Sequence, residues 1–273
     1  MRRWLKDKWP ELLIGAGILL ASLIMRWRYM ELNPMLYRDS ALYCHIATAW
    51  SQLGDFGRAS ENFGGTAPLY VYLLRIGVDL GFPVVKWGRF LSFFFGGAFV
   101  LAFYFLGKQL FPGRRDGALI FMFLAGMHPV IGRLSVALLR EGPFLALAAF
   151  AMVAFVSAFK SGGVKAAVTC GVLLGAASLA RHEALELLLL GAAALLPWRR
   201  KGDPGANDAE ARPDADAKLR LTAKLKTLLR GSLPSFSMLG AAAASTVAIL
   251  LISGMPLSFM VYQYWSKLDK VKF

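Results

Sequence analysis

Charge is scarce in this chain: only 18% of its 273 residues are Asp, Glu, Lys or Arg, against 57% apolar residues. A soluble domain carries about a quarter charged residues, so the deficit excludes an ordinary water-facing surface. Acids are scarcer still, 17 against 31 Lys and Arg, for a net charge of +14. In a soluble protein that excess would point to nucleic acid; at a mean hydropathy of +0.52 the membrane is the first partner and no nucleic acid is expected. Only two cysteines, Cys44 and Cys170, are present, which excludes a disulfide-stapled secreted scaffold and leaves both expected to stay unpaired. Zinc spacing, a Gly-rich phosphate loop and soluble-domain repeats are absent. So is a cleavage pattern after the first apolar run, so Met1 to Met25 reads as a retained helix.

What the chain has is apolar runs. About 20 mostly apolar residues cross roughly 30 Å of hydrocarbon. Phe90 to Gly107 and Gly142 to Phe159 do so free of charge; Trp9 to Met25, Gly117 to Gly132, Val164 to Ala180, Ala184 to Trp198 and Pro234 to Gly254 are shorter or less pure. An eighth run, Thr66 to Phe82, holds Arg75 and Asp79 near its middle. Each costs about 2.5–3.5 kcal/mol at a helix centre, against about 0.3–0.6 gained per large apolar residue, so this run is expected not to span. The fold expected is therefore all-α, a polytopic bundle of about seven spans with a long first outer loop, residues 26–89, containing interfacial helices.

The positive-inside rule agrees with that parity. An inner amino terminus places Arg2, Arg3, Lys6 and Lys8, then Lys108, Arg114 and Arg115, then Lys160 and Lys165, then the basic stretch from Arg199 to Arg230, all on the cytoplasmic side. An eighth span would export that stretch. The domain reading is a membrane module over residues 1–198, a basic cytoplasmic linker over 199–231 with a short amphipathic helix from Leu219 to Leu229, and a last span with a short outer tail over 232–273.

Three polar groupings then fall on the outer side: Arg38-Asp39, Arg140-Glu141, and Arg181-His182-Glu183 with Glu186 one turn on. Arg38-Asp39 opens a helical pattern, Ser40 to Leu53, stopped by Gly54, with Trp50 expected at headgroup depth. Asp39 reads either as an N-cap or as a general base, roles that need not exclude each other. Glu141, ahead of Gly142 and Pro143, reads either as a helix-start acid or as part of a site. Arg181 reads either as the ion-pair partner of Glu183 or Glu186, or as a ligand for a phosphate-bearing lipid. The trio lacks the second histidine of a zinc HExxH pattern. His128-Pro129 reads as a kink with a core histidine, and Gly171 and Gly175 as a small-xxx-small helix contact.

The order of "YRDSALYCHIATAW", "GGTAPLYVYLLRIGVDLGF", "GRFLSFFFGGAFVLAFYFLGKQLF", "HPVIGRLSVALLREGPF" and "GAASLARHEALELLLL" resembles the GT-C superfamily of membrane glycosyltransferases over about Pro10 to Trp198. The likeness is strongest to its protein-mannosyltransferase-like group, which includes rhizobial lipopolysaccharide-core transferases. It implies transfer of a sugar from a polyprenyl-phosphate donor to a glycan, lipid or protein acceptor at the outer face of a bacterial cytoplasmic membrane, usually with inversion. By resemblance Asp39 is the base, Glu141 the acid of the second outer loop and a second catalytic residue, and Arg181 and Glu183 the Arg-x-Glu that closes the fifth span; on chemical grounds Arg38, Arg140 and Arg181 are the candidates to bind the donor phosphate and offset its developing charge. Tyr43, His45, His182 and Glu183 support them. No metal or other cofactor is expected. His182 stands where relatives often have Pro, and the chain ends soon after its seventh span, so the alternative is a shortened, non-catalytic membrane subunit that binds lipid or a partner transferase.

Overall fold

The computed structural model describes residues 2–32, 37–61, 68–195 and 217–253, with backbone alone at 2–8, 217–231 and 251–253. These residues form helices joined by short turns, with no strand among them: α1 (Arg2–Leu32), α2 (Arg38–Leu53), α3 (Phe56–Ser60), α4 (Pro68–Asp79), α5 (Val84–Leu110), α6 (Arg115–Met127), α7 (Pro129–Leu134), α8 (Glu141–Ser161), α9 (Val164–Ala180), α10 (Glu183–Leu195) and α11 (Ala217–Ser253). Four stretches are long and apolar enough to cross a membrane: Trp9–Leu32, Val84–Leu110, Glu141–Ser161 and Ser232–Leu250; Val164–Ala180 is a shorter apolar helix. The protein is thus a helical membrane protein. The linker at 199–216 and the tail beyond 253 lie outside the described residues.

The large helices pack in a row, α11 on α9, α9 on α8, α8 on α5 and α5 on α6, with α1 across α5 and α6. Their contacts fix directions. Glu11, early in α1, meets Tyr104 and Lys108, late in α5, both at 2.6 Å, whereas Trp27, late in α1, stacks edge-on against Phe93, early in α5. The two helices are antiparallel. α8 runs with α5, because Gly142 sits against Ser92 at its start and Lys160 donates to the Gln109 carbonyl at its end. α9 runs back along α8, bringing Arg181 to Glu141. The end of α1, the starts of α5 and α8 and the end of α9 therefore share one end of the bundle; Glu11, Lys108 and Lys160 share the other.

Several expected boundaries move. α1 continues past Met25 to Leu32, and α5 begins at Val84 rather than Phe90, because the helix ladder extends beyond the purely apolar run. The stretch expected to span from Gly117 to Gly132 is instead broken at His128-Pro129 into α6 and α7. His128 is exposed, not a core residue: its Nδ1 accepts from the Ile131 N–H at 3.4 Å as the N-cap of α7. The break frees carbonyls at the end of α6, and the fully buried Arg26 guanidinium donates to Gly126 O at 3.0 Å and Ser135 Oγ at 2.9 Å. A cation at a helix carboxyl end is the favourable pairing with the helix dipole. The basic Leu219–Leu229 stretch is not a separate helix but the first part of α11.

α2 and α4 form a compact layer at the shared end. α2 stops where Gly54 turns left-handed at φ 69° and donates to the Trp50 carbonyl. Trp50 is not at a lipid interface as expected: it is 1% exposed, edge-on to Phe56 and beside Tyr72. Arg75 and Asp79, whose cost argued against a spanning segment, are paired with each other at 3.1 Å; Arg75 lies over the Trp50 ring and Asp79 accepts from Ser51 at 2.5 Å.

Candidate functional site

Arg181 is the centre of the polar cluster. α9 ends at Ala180, and Arg181, its C-cap, turns extended and aims its side chain across the helix end. Nη1 donates to Glu141 Oε1 at 2.8 Å, while Nε and Nη2 donate to the two oxygens of Glu183 at 3.2 and 2.6 Å. The second contact is the bidentate fork that suits guanidinium to carboxylate. His182 Nδ1 lies 3.4 Å from Glu183, and the Phe144 ring stands under the Arg181 guanidinium. The Arg181 hydrogen bonds hold the Glu183 carboxyl down at about 2, and Glu183 in turn raises Arg181. Of the two acids expected to pair with Arg181, Glu183 does and Glu186 does not; Glu186 is exposed, and Glu141 takes the remaining guanidinium face.

Glu141 opens α8, where a first-turn acid meets the free N–H groups of the helix start. Arg140, its N-cap, is half-buried and has no carboxylate partner among the described residues.

α2 brings the first grouping to the same place. Tyr43 is 3% exposed, and its electrostatic neighbours are Arg140, Asp39, Glu141 and Arg181. Burial raises the phenol above its usual range, so Tyr43 stays a protonated donor. Asp39 stands one helical turn before Tyr43 and is exposed. The expected N-cap role falls elsewhere: Tyr37 is the N-cap of α2, and Asp39 is a first-turn acid with no ion pair among the described residues. Arg38 is exposed beside it. His45 is also exposed, on a different face of α2 from Tyr43 and on the same stripe as Arg38.

Two residues not expected from the sequence complete the floor. Tyr70 of α4, fully buried, meets Tyr43 edge-on at 5.7 Å, and Ser92 of α5, also fully buried, sets its hydroxyl beside that of Tyr70. A tyrosine in an apolar run and a serine in a spanning helix carry no sequence signal beyond being polar among apolar neighbours. Among the described residues no group of three or more His, Cys, Asp or Glu is placed to hold a metal ion.

Chemically, the cluster joins a cation with no acid partner among the described residues, Arg140, a cation held by two acids, Arg181, and an exposed carboxylate, Asp39, at one end of an apolar bundle. That is a setting for an anionic head carried by a lipid. Residues 65–202, about half of the chain, match the family model described as dolichyl-phosphate-mannose-protein mannosyltransferase. The match defines a membrane glycosyltransferase of GT-C type. The chain belongs to the dolichyl-phosphate-mannose-protein mannosyltransferase family. The matched segment includes Arg140, Glu141, Arg181, His182 and Glu183 but begins after Arg38, Asp39, Tyr43 and His45. Neither a curated protein nor a solved structure matches the chain.

Proposed function

We propose that this chain transfers a sugar from a polyprenyl-phosphate donor to an acceptor at the outer membrane face, with inversion and with Asp39 as general base. The observation that carries the reading is the meeting of Asp39, Tyr43, Arg140, Glu141 and Arg181 at one end of the bundle. A sugar hydroxyl is a poor nucleophile at neutral pH, and a carboxylate that takes its proton as the new bond forms contributes about 10²- to 10⁴-fold. The exposed Asp39 is suited to meet an acceptor hydroxyl entering from water. Charge gathering on the leaving phosphate is offset by Arg140, which has no competing acid among the described residues, and by Arg38 and Arg181. Glu141 and Glu183 orient Arg181.

The outer location rests on charge. Lys108, Lys160 and the Arg114-Arg115 pair lie toward the end of the bundle away from the cluster, the end the positive-inside rule assigns to the cytoplasm. The antiparallel α1 and α5 also support a first loop that returns to the side it left, which is the arrangement of about seven spans. A lipid carrier cannot leave the bilayer, which is why the chemistry would stand at membrane level. Kinship with rhizobial lipopolysaccharide-core transferases belongs to this same reading and makes an envelope glycan or lipid the first acceptor to try.

Asp39→Asn in purified protein, assayed with polyprenyl-phosphate mannose, is expected to lose at least about 10²-fold in transfer with donor binding retained. Unchanged turnover would remove Asp39 from the mechanism.

A further inference from the structure

Arg181 already holds two carboxylates before any donor arrives, with one hydrogen bond from each of its three nitrogens. A phosphate that takes the Nη1 edge displaces a carboxylate, and Glu141, held by one hydrogen bond, yields before Glu183, held by a fork. A carboxylate set loose there is costly, because the Glu141 side chain is only 20% exposed and its Oε2 is already buried without a hydrogen bond among the described residues. Directly behind it are Tyr70 and Ser92. Their hydroxyls lie side by side, are likewise buried without a well-formed hydrogen bond, and Tyr70 senses the Glu141 charge. Gly142, next to Glu141, stands against Ser92, so a side chain there would meet it at 3.7 Å. Two buried hydroxyls with unspent hydrogen-bonding capacity thus stand behind the one carboxylate that donor binding would release, whose own Oε2 is likewise unspent among the described residues.

We propose that Tyr70, backed by Ser92, is a positioning residue that receives the carboxylate of Glu141 when a lipid phosphate takes the guanidinium of Arg181. The Tyr70 hydroxyl donates to the freed carboxylate and the Ser92 hydroxyl donates to the Tyr70 oxygen. The exchange keeps the buried charge satisfied and lowers the cost of donor binding. It rests on the reading of this site as one for a lipid phosphate.

The test uses the full chain in lipid nanodiscs, with farnesyl phosphate as probe and farnesol as its phosphate-free counterpart, binding being followed by tryptophan fluorescence. Tyr70→Phe is expected to weaken farnesyl phosphate about tenfold while the unliganded melting temperature holds, the value of about one hydrogen bond to a charged group. Ser92→Ala should weaken it in the same direction, and Tyr72→Phe, whose ring packs on Trp50 instead, should not. Undiminished affinity in both Tyr70→Phe and Ser92→Ala would overturn the proposal, as would an equal loss for farnesol or a lowered melting temperature with unchanged affinity. A wild-type protein that binds farnesyl phosphate no better than farnesol would instead overturn the functional reading on which it stands.

Discussion

Arg181 shows how much a single position settles. Its letters alone announced an ion pair with a nearby acid, and Glu183 is that acid. Its second partner, Glu141, is 40 residues away; the sequence marked it as a helix-start acid or a site residue but not as the partner of Arg181. Tyr70 and Ser92 could not be picked from the sequence, because whether a polar residue in an apolar helix faces neighbours or the site depends on packing. The pair also carries a pH dependence with a definite sign. Glu183 falls from an ordinary value of 4.5 to about 2, so its stabilisation is present above about pH 4.5 and is lost as pH falls through about 2. Glu183→Gln should therefore melt below wild type at neutral pH, with the gap closing in acid. A gap that is constant with pH in a detergent melting series would show that the ion pair is not its cause. At 35% exposure of the Glu183 side chain the effect is expected to be modest.

At the scale of elements, the small-xxx-small spacing was legible and its partner was not. Gly171 lies against the Met238 backbone and Gly175 against Ala242 and Ser245, so the absent side chains let α9 and α11 approach closely. Thr246 Oγ1 donates to the Gly175 carbonyl at 3.2 Å across this contact. Gly175→Val would force backbone apart and should cost about 1–3 kcal/mol, read as a lower melting temperature in detergent, whereas Gly240→Ala, which opens on free space, should cost little. Equal behaviour of the two variants would contradict this packing. The broken third segment shows the opposite limit. Pro129 marked a kink, but that His128 would cap the following helix and that Arg26 would cover the freed carbonyls required knowing that α1 passes the break. Helix existence followed from apolar length; helix ends did not, since the backbone ladders of α1 and α5 continue past their apolar runs.

For the whole molecule, the sequence argument turned on Arg75 and Asp79 and on the distribution of Lys and Arg. The antiparallel course of α1 and α5 and the parallel course of α5 and α8 bring Glu141 and Arg181 to one end of the bundle, where Tyr43 neighbours Asp39 and Arg140 as well; that this end faces outward is the proposal. The measurement that tests this most directly is labelling of single cysteines by a membrane-impermeant maleimide in intact cells, in a background where the buried Cys44 and Cys170 are serine. Asp39→Cys and His182→Cys should both react from outside, and Arg114→Cys only after the membrane is opened. Labelling of positions 39 and 182 from opposite faces would contradict a shared site and with it the proposed transfer reaction.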